Sequence, residues 1–120
     1  MRKWVLAAGL MMALPTMASA ADVANGESVF KKCKACHATD GKNKVGPHLD
    51  GIVGRKAGTA EGFNYSEAMK KSGITWNEAE LDKYLKDPKA DIPGNKMVFV
   101  GIKDDADRAD LVAYLATLKK

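Results

Sequence analysis

Cys33-Lys34-Ala35-Cys36-His37 is the stretch whose reading decides the fold. C-x-x-C-H is the pattern of covalent haem attachment. Two thiols three positions apart can each form a thioether to a haem vinyl group, and the adjacent histidine can supply an axial nitrogen to the iron. Cys33 and Cys36 are therefore the expected cofactor anchors and His37 an expected metal ligand.

Two other uses of this spacing compete. A thioredoxin-like redox pair needs a βαβ setting, and no such pattern surrounds the motif. A structural zinc site usually takes four Cys or His ligands. This chain offers two Cys and two His, and its second histidine, His48, sits in a Gly-Pro-rich loop unsuited to a zinc site.

The start of the chain fits export. Arg2 and Lys3 precede the apolar run from Trp4 to Leu14, Pro15 breaks it, and Ala18-Ser19-Ala20 is an A-x-A cleavage pattern. Residues 1–20 are expected to be a secretory signal peptide cleaved after Ala20, leaving a domain of residues 21–120 in the periplasm. The apolar run is shorter than the ~20 residues a membrane span requires, so no stable membrane insertion is expected. No cysteine near the cleavage point could accept a lipid.

The 120 residues carry 19 Lys+Arg and 15 Asp+Glu. Taking Arg2 and Lys3 away with the leader lowers 19 cations to 17 against 15 anions. Two haem propionates would offset most of that excess. No basic helix or aromatic-basic stripe appears, so no nucleic acid is expected as a partner. A chain this short is one domain with a limited core, for which a cofactor is a usual remedy.

The coarse reading is all-α, with about four helices. The first runs from about Val23 into the C-x-x-C-H motif. A short one follows Tyr65, with Ser66 as N-cap and Gly73 past its end. A third opens at Asn77, with Glu80 placed as in a capping box, and stops near Asp87-Pro88. The last spans about Asp104 to Leu118, with Asp104 and Asp107 at its N-terminus and Lys119 and Lys120 at its C-terminus. Leu111, Val112, Leu115 and Leu118 form its apolar stripe. Between Thr39 and Phe63 the chain has little periodicity and six glycines. So long an irregular stretch is unusual in a compact domain, unless it wraps a cofactor. The same holds for Asp87 to Lys103.

That second loop carries Pro93-Gly94-Asn95-Lys96-Met97. A haem iron needs a sixth ligand or an open site. Met97 follows a Pro-Gly turn able to present a thioether. Met69 lies in a short helix, where a methionine more often packs. His48 follows His37 by only eleven residues, so its loop would have to cross to the opposite face. Met97 is the favoured second iron ligand on reach and on haem-ligand chemistry.

These motifs together resemble class I cytochromes c, of the bacterial type nearest the mitochondrial protein. The matching segments are Gly26 to Phe30, Cys33 to His37, Gly46-Pro47, Gly54-Arg55-Lys56, Gly62 to Tyr65, Gly73 to Trp76, Tyr84-Leu85, Pro93 to Met97 and Arg108 to Leu115. The resemblance implies a small cytochrome c fold with long loops wrapped around one covalent haem c, its iron ligated by His37 and Met97. It implies that the Pro47 carbonyl accepts the His37 N–H, fixing the ring. Arg55, Tyr65 and Trp76 would contact or neutralise the buried propionate, Tyr84 would hydrogen-bond near the Met97 sulfur, and Phe99 would cover the haem edge. Gly26 and Phe30 would meet Leu111 and Tyr114 where the first and last helices cross. The chain departs from the pattern at Asn95, where relatives often have Thr, and at Met69, where the mitochondrial protein has a polar residue.

The function expected is one-electron transfer, not enzymatic turnover, because an iron with both axial positions filled has no vacant site for substrate. The carrier would take an electron from a membrane quinol-oxidising complex and pass it to a terminal oxidase, a reaction centre or a reductase. Lys32, Lys34, Lys44 and Lys96 would ring the exposed haem edge and meet redox partners with acidic docking surfaces, the chain acting as a monomer. A peroxide or gas-binding protein with a labile Met97 is the rival, but no acid–base pair in the loops supports it. A haem domain detached from a larger oxidoreductase is a third reading, against which the small-domain length and the leader both argue.

Overall fold

The computed structural model describes residues 20–119. The expected leader and its cleavage pattern, apart from Ala20, lie outside the described residues, as does Lys120. Five helices are present among the described residues: α1 (Val23–Phe30), α2 (Glu67–Lys71), α3 (Glu78–Lys86), α4 (Pro88–Asp91) and α5 (Asp105–Ala116). None is long and apolar enough to cross a membrane. Among the described residues no strand forms; Lys56 and Thr75 make one isolated antiparallel bridge.

Each helix starts where a short polar side chain can take up a free amide. Asp22, Ser66, Asn77, Asp87 and Asp104 each accept a backbone N–H three residues on, which satisfies one of the donors a helix N-terminus leaves unpaired. Three boundaries differ from the sequence reading. α1 ends at Phe30, and the C-x-x-C-H motif follows as consecutive turns. The loop after α3 is not wholly irregular: Pro88, placed as a first helical residue, opens α4, where its missing N–H costs nothing. α5 ends at Ala116 with Thr117 as its cap, so Lys119 does not enter its last turn.

α1 and α5 cross closely, with Gly26 directly against the Asp110 carbonyl and Tyr114. The Phe30 and Tyr114 rings meet at 5.3 Å between centroids. Asn25 Nδ2 donates to Asp107 and Asp110 at 3.0 and 2.8 Å. The expected stripe is the core face of α5: Leu111, Val112 and Leu115 are buried, and Leu118 packs beside them. α3 packs on the same helix through Leu81, Tyr84 and Leu85. Arg108, buried in α5, braces this pair. Its guanidinium donates to Asp82 and Asp105 at 2.8 Å and to the Ile102 carbonyl at 3.0 Å. The chain after Met97 is thereby tied to both helices.

Candidate haem cavity

The helices and the two long loops surround a mainly apolar cavity of about 250 Å³. Cys33, Cys36, His37, Pro47, Arg55, Tyr65, Trp76, Tyr84, Met97 and Phe99 all line it. Every site residue expected from the sequence therefore reaches one space.

The proximal side is built from tight turns. Cys33 N–H bonds the Phe30 carbonyl at 2.7 Å, and the Cys36 and His37 amides both bond the Cys33 carbonyl, at 3.0 and 2.9 Å. This winding carries the α1 direction onward and brings both thiols and the imidazole to the same wall. His37 Nδ1 lies 2.7 Å from the Pro47 carbonyl oxygen. A carbonyl only accepts, so Nδ1 carries the proton and Nε2 keeps its lone pair. Burial pushes the His37 pKa down, and the charges of Arg55 and Lys44 add to this against the opposing Pro47 bond. The ring is thus neutral at pH 7, as a metal ligand must be. Gly46 lies flat against the imidazole; a Cβ there would come within 2.8 Å of Nδ1 and 2.9 Å of Nε2. No side chain fits at this position while the ring holds its bond to Pro47.

The thiols distinguish between the competing uses of the motif. Cys33 and Cys36 are both free. Burial, with the neighbouring Cys36, pushes the Cys33 thiol up to about 11. A thioredoxin-type nucleophile needs the reverse shift. Among the described residues no three His, Cys, Asp or Glu side chains gather as a metal site. A pair of free thiols on an apolar wall, beside an imidazole with an unengaged Nε2, fits thioether attachment of a haem.

The Met97 side is held differently. Pro93 and Gly94 form a turn closed by Asn95 N–H on the Ile92 carbonyl at 3.1 Å, with Gly94 at φ +90°. That φ suits glycine at the third position of a type II turn. Asn95 then fixes the chain with all its polar atoms. Its Nδ2 donates to the Pro88 and Ile92 carbonyls, and its Oδ1 accepts the Met97 amide, each at 2.8 Å. The Tyr84 hydroxyl is 3.9 Å from the Met97 sulfur. Burial, with Asp91 nearby, raises the Tyr84 pKa, so the phenol stays protonated and donates.

The remaining walls are aromatic. Trp76 and Tyr84 pack at 5.1 Å, and Phe63 meets Tyr65 edge-on at 4.8 Å. The Tyr65 oxygen accepts the Ala60 amide at 2.9 Å, which leaves its own O–H free to donate. Arg55 donates to the His48 carbonyl at 2.8 Å, and its main chain pairs with that of Trp76 at 2.9 Å. His48 itself does not line the cavity; its Nδ1 is engaged with Asp50 at 2.8 Å. Met69 lines the cavity and packs on the core.

Three contributors were missed by sequence reasoning. Asn95 reads in the sequence only as a departure within its motif, because nothing in a linear sequence says where an amide will find three backbone partners. Val45 and Val98 line the cavity mouth although 77% and 94% exposed. Their signal was an apolar residue inside a polar loop. Lys32 and Lys96 also reach this rim. Lys44 lies nearby, its Nζ donating to the Lys34 carbonyl at 2.8 Å.

Comparison with known proteins agrees with this geometry. The family model described as cytochrome c matches residues 23–119. Cytochrome c2 of Rhodomicrobium vannielii is 58% identical over 101 residues, covering 82% of this chain and 81% of that protein. Cytochrome c2 of Blastochloris viridis is 51% identical over 117 residues, covering 96% and 92%. The solved structure of cytochrome cH from Methylobacterium extorquens superposes with a TM-score of 0.77 at 54% identity, covering 80% of this chain and 98% of that one.

Proposed function

This chain belongs to the cytochrome c family, and on that premise we propose that it is a periplasmic shuttle carrying one electron at a time between membrane and protein partners. The family carries covalent haem c, and its c2-type members are electron carriers, not enzymes. Bound haem supplies an iron that gains and loses a single electron.

The protein's part is to anchor, orient and exclude water. Cys33 and Cys36 would form the two thioethers. His37, its Nδ1–H spent on Pro47, would offer Nε2 to the iron. Met97, presented by the Pro93-Gly94 turn and the Asn95 brace, would offer its sulfur as the second ligand. A methionine sulfur opposite a histidine raises the potential. Arg55, Tyr65 and Trp76 would meet the buried propionate, and Phe99 would cover the haem edge. The observation that carries this reading is the meeting of two free thiols, a neutral imidazole with Nε2 unengaged and the loop-borne Met97 thioether on the walls of a single apolar cavity.

The test is the visible spectrum of the purified protein in both oxidation states, with acid-acetone extraction of the same sample. The expected result is a low-spin six-coordinate spectrum, a weak near-red methionine band when oxidised, and haem that stays with the chain. Haem that extracts freely, or a band that survives Met97→Ala, overturns it.

Docking would use the cavity mouth. Val45 and Val98 offer an apolar centre, with Lys32 and Lys96 on the same rim, and Lys34 and Lys44 would extend the ring of charge. Lysines facing an acidic partner speed encounter through attraction that salt screens over about 8 Å. Rates with such a partner should fall as salt rises. Lys32→Glu and Lys96→Glu should slow the bimolecular step while sparing the spectrum, and Lys119→Glu, beyond the end of α5, should matter less. A rate indifferent to salt and to all four lysines would assign docking to Val45, Val98 and Phe99 instead. The export of residues 21–120 after cleavage behind Ala20 is part of the same proposal. Expression without residues 1–20 should leave mostly apoprotein.

A further inference from the structure

A second polar cluster lies behind the cavity wall, in the loop between His37 and Lys56. Asp50 is only 7% exposed. Its Oδ1 accepts the Gly41 amide at 2.9 Å and faces His48 Nδ1 at 2.8 Å. Burial pulls this carboxyl upward, but the bonds from Gly41 and His48 outweigh it and hold Asp50 below the usual carboxylate range. Asp50 is therefore an anion at neutral pH, and an ionised carboxylate only accepts. His48 Nδ1 must carry the proton that it donates.

Arg55 grips the other end of the same residue. Its Nη2 donates to the His48 carbonyl at 2.8 Å. Its Nη1 is 3.5 Å from the protonated Nδ1, a distance and polarity that make no hydrogen bond. His48 is thus fixed at the ring by a carboxylate and at the main chain by a guanidinium. Among the described residues Arg55 makes no direct ion pair of its own. Burial lowers its pKa, while the Tyr65 and Asp50 groups act in the opposite direction. Asp50 is the carboxylate that this half-buried cation faces, with one imidazole between them.

We propose that Asp50 is the buried countercharge of Arg55 and, held through His48, a positioning residue that sets the reduction potential of the site. The inference rests on Arg55 lining the haem cavity. Arg55 brings positive charge to that wall, which favours the reduced state. Asp50 cancels part of this charge from behind and keeps the guanidinium seated on the His48 carbonyl. Asp50 is shielded from water and Arg55 is half-buried, so salt screens the effect of Asp50 less than that of a surface charge.

Spectroelectrochemistry of the holoprotein tests this. Asp50→Asn keeps the side-chain shape and an acceptor oxygen but removes the charge. Its potential should rise, with the near-red methionine band and the melting temperature close to parental. Asp50→Glu restores the charge and should bring the potential back towards the parent. Asp40→Asn removes one exposed carboxylate from the same loop; its shift should be smaller and disappear at high salt, whereas that of Asp50→Asn should persist. A potential in Asp50→Asn that moves no further than in Asp40→Asn overturns the proposal, as does an Asp50→Glu shift equal to that of Asp50→Asn. If Asp50→Asn matures poorly, Asp50→Ser removes the same charge and keeps an acceptor for Gly41, and a parental potential there is equally fatal. Arg55→Gln separates the two levels of the argument. It should lower the potential; if it leaves it unmoved, the assignment of Arg55 to the haem site fails. If Arg55→Gln moves it and the Asp50 variants do not, only the countercharge role fails.

Discussion

The two sides of the haem cavity are secured by different kinds of bond. On the His37 side the main chain does the holding: His37 N–H to the Cys33 carbonyl at 2.9 Å, Gly46 N–H to the Cys36 carbonyl at 2.7 Å, and the Pro47 carbonyl on the ring at 2.7 Å. On the Met97 side the main chain supplies one turn bond, Asn95 N–H to the Ile92 carbonyl at 3.1 Å, and the bonds nearest Met97 come mostly from the Asn95 side chain, while the contact to the sulfur from Tyr84 is a long 3.9 Å. Backbone bonds survive most substitutions, whereas side-chain bonds are lost with one. The His37 side is therefore the fixed frame, and the Met97 side is where ligation can give way. Lys96, next to Met97, and Lys89, whose Nζ approaches the Met97 carbonyl at 3.5 Å, are placed to supply an amine when it does.

The largest effect should come from breaking the fixed side. Gly46→Val puts a side chain into the space of the His37 ring. Overpacking of this kind costs about 1–3 kcal/mol or more, and here it strikes a ligand. Little correctly ligated holoprotein should mature, measured as haem-bearing chain per total chain.

Met97→Ala comes next. It should keep covalent haem but lose the near-red band, lower the potential and open the iron to cyanide. Met69→Ala is its control and should keep the band; the reverse pattern would reassign the ligand, and loss of the sixth ligand in His48→Ala would do the same.

Asn95→Ala tests whether the soft side depends on one amide. It strips partners from the Met97 amide and two carbonyls, at a cost of roughly 1–3 kcal/mol for a buried group left unsatisfied. The replacement of Met97 by a lysine on raising pH should begin at lower pH than in the parent, followed by loss of the near-red band. An unchanged transition would mean that the loop is held by something other than Asn95.

Tyr84→Phe should be the mildest. A neutral hydrogen bond contributes about 1 kcal/mol, and one this long contributes less. Without the donor the sulfur gives more electron density to the oxidised iron, so the potential should fall slightly with the band retained. A large fall would show that the hydroxyl sits closer to the sulfur in the holoprotein.

The difference between the two sides also separates what was legible in sequence. Cys33, Cys36 and His37 could be read directly, because their chemistry depends on spacing within one turn. The helix starts were legible for the same reason: Ser66, Asn77 and Asp104 cap amides three residues away. The extra helix α4 was not, since Pro88 reads equally as the end of one helix or the first residue of the next. Met97 was reached by elimination and by resemblance, not by local pattern.

By itself, then, the sequence determined the cofactor chemistry, the all-α class and the α5 core stripe, all of which rest on contacts between residues a few positions apart. Tertiary structure alone decided which polar side chains serve the site from a distance. Asn95 joins α4 to the Met97 loop, Arg108 ties α5 to α3 and to Ile102, and Asp50 reaches Arg55 through His48. Such groups are recognisable only after folding, because a buried polar atom is defined by the partners that the fold brings within about 3 Å.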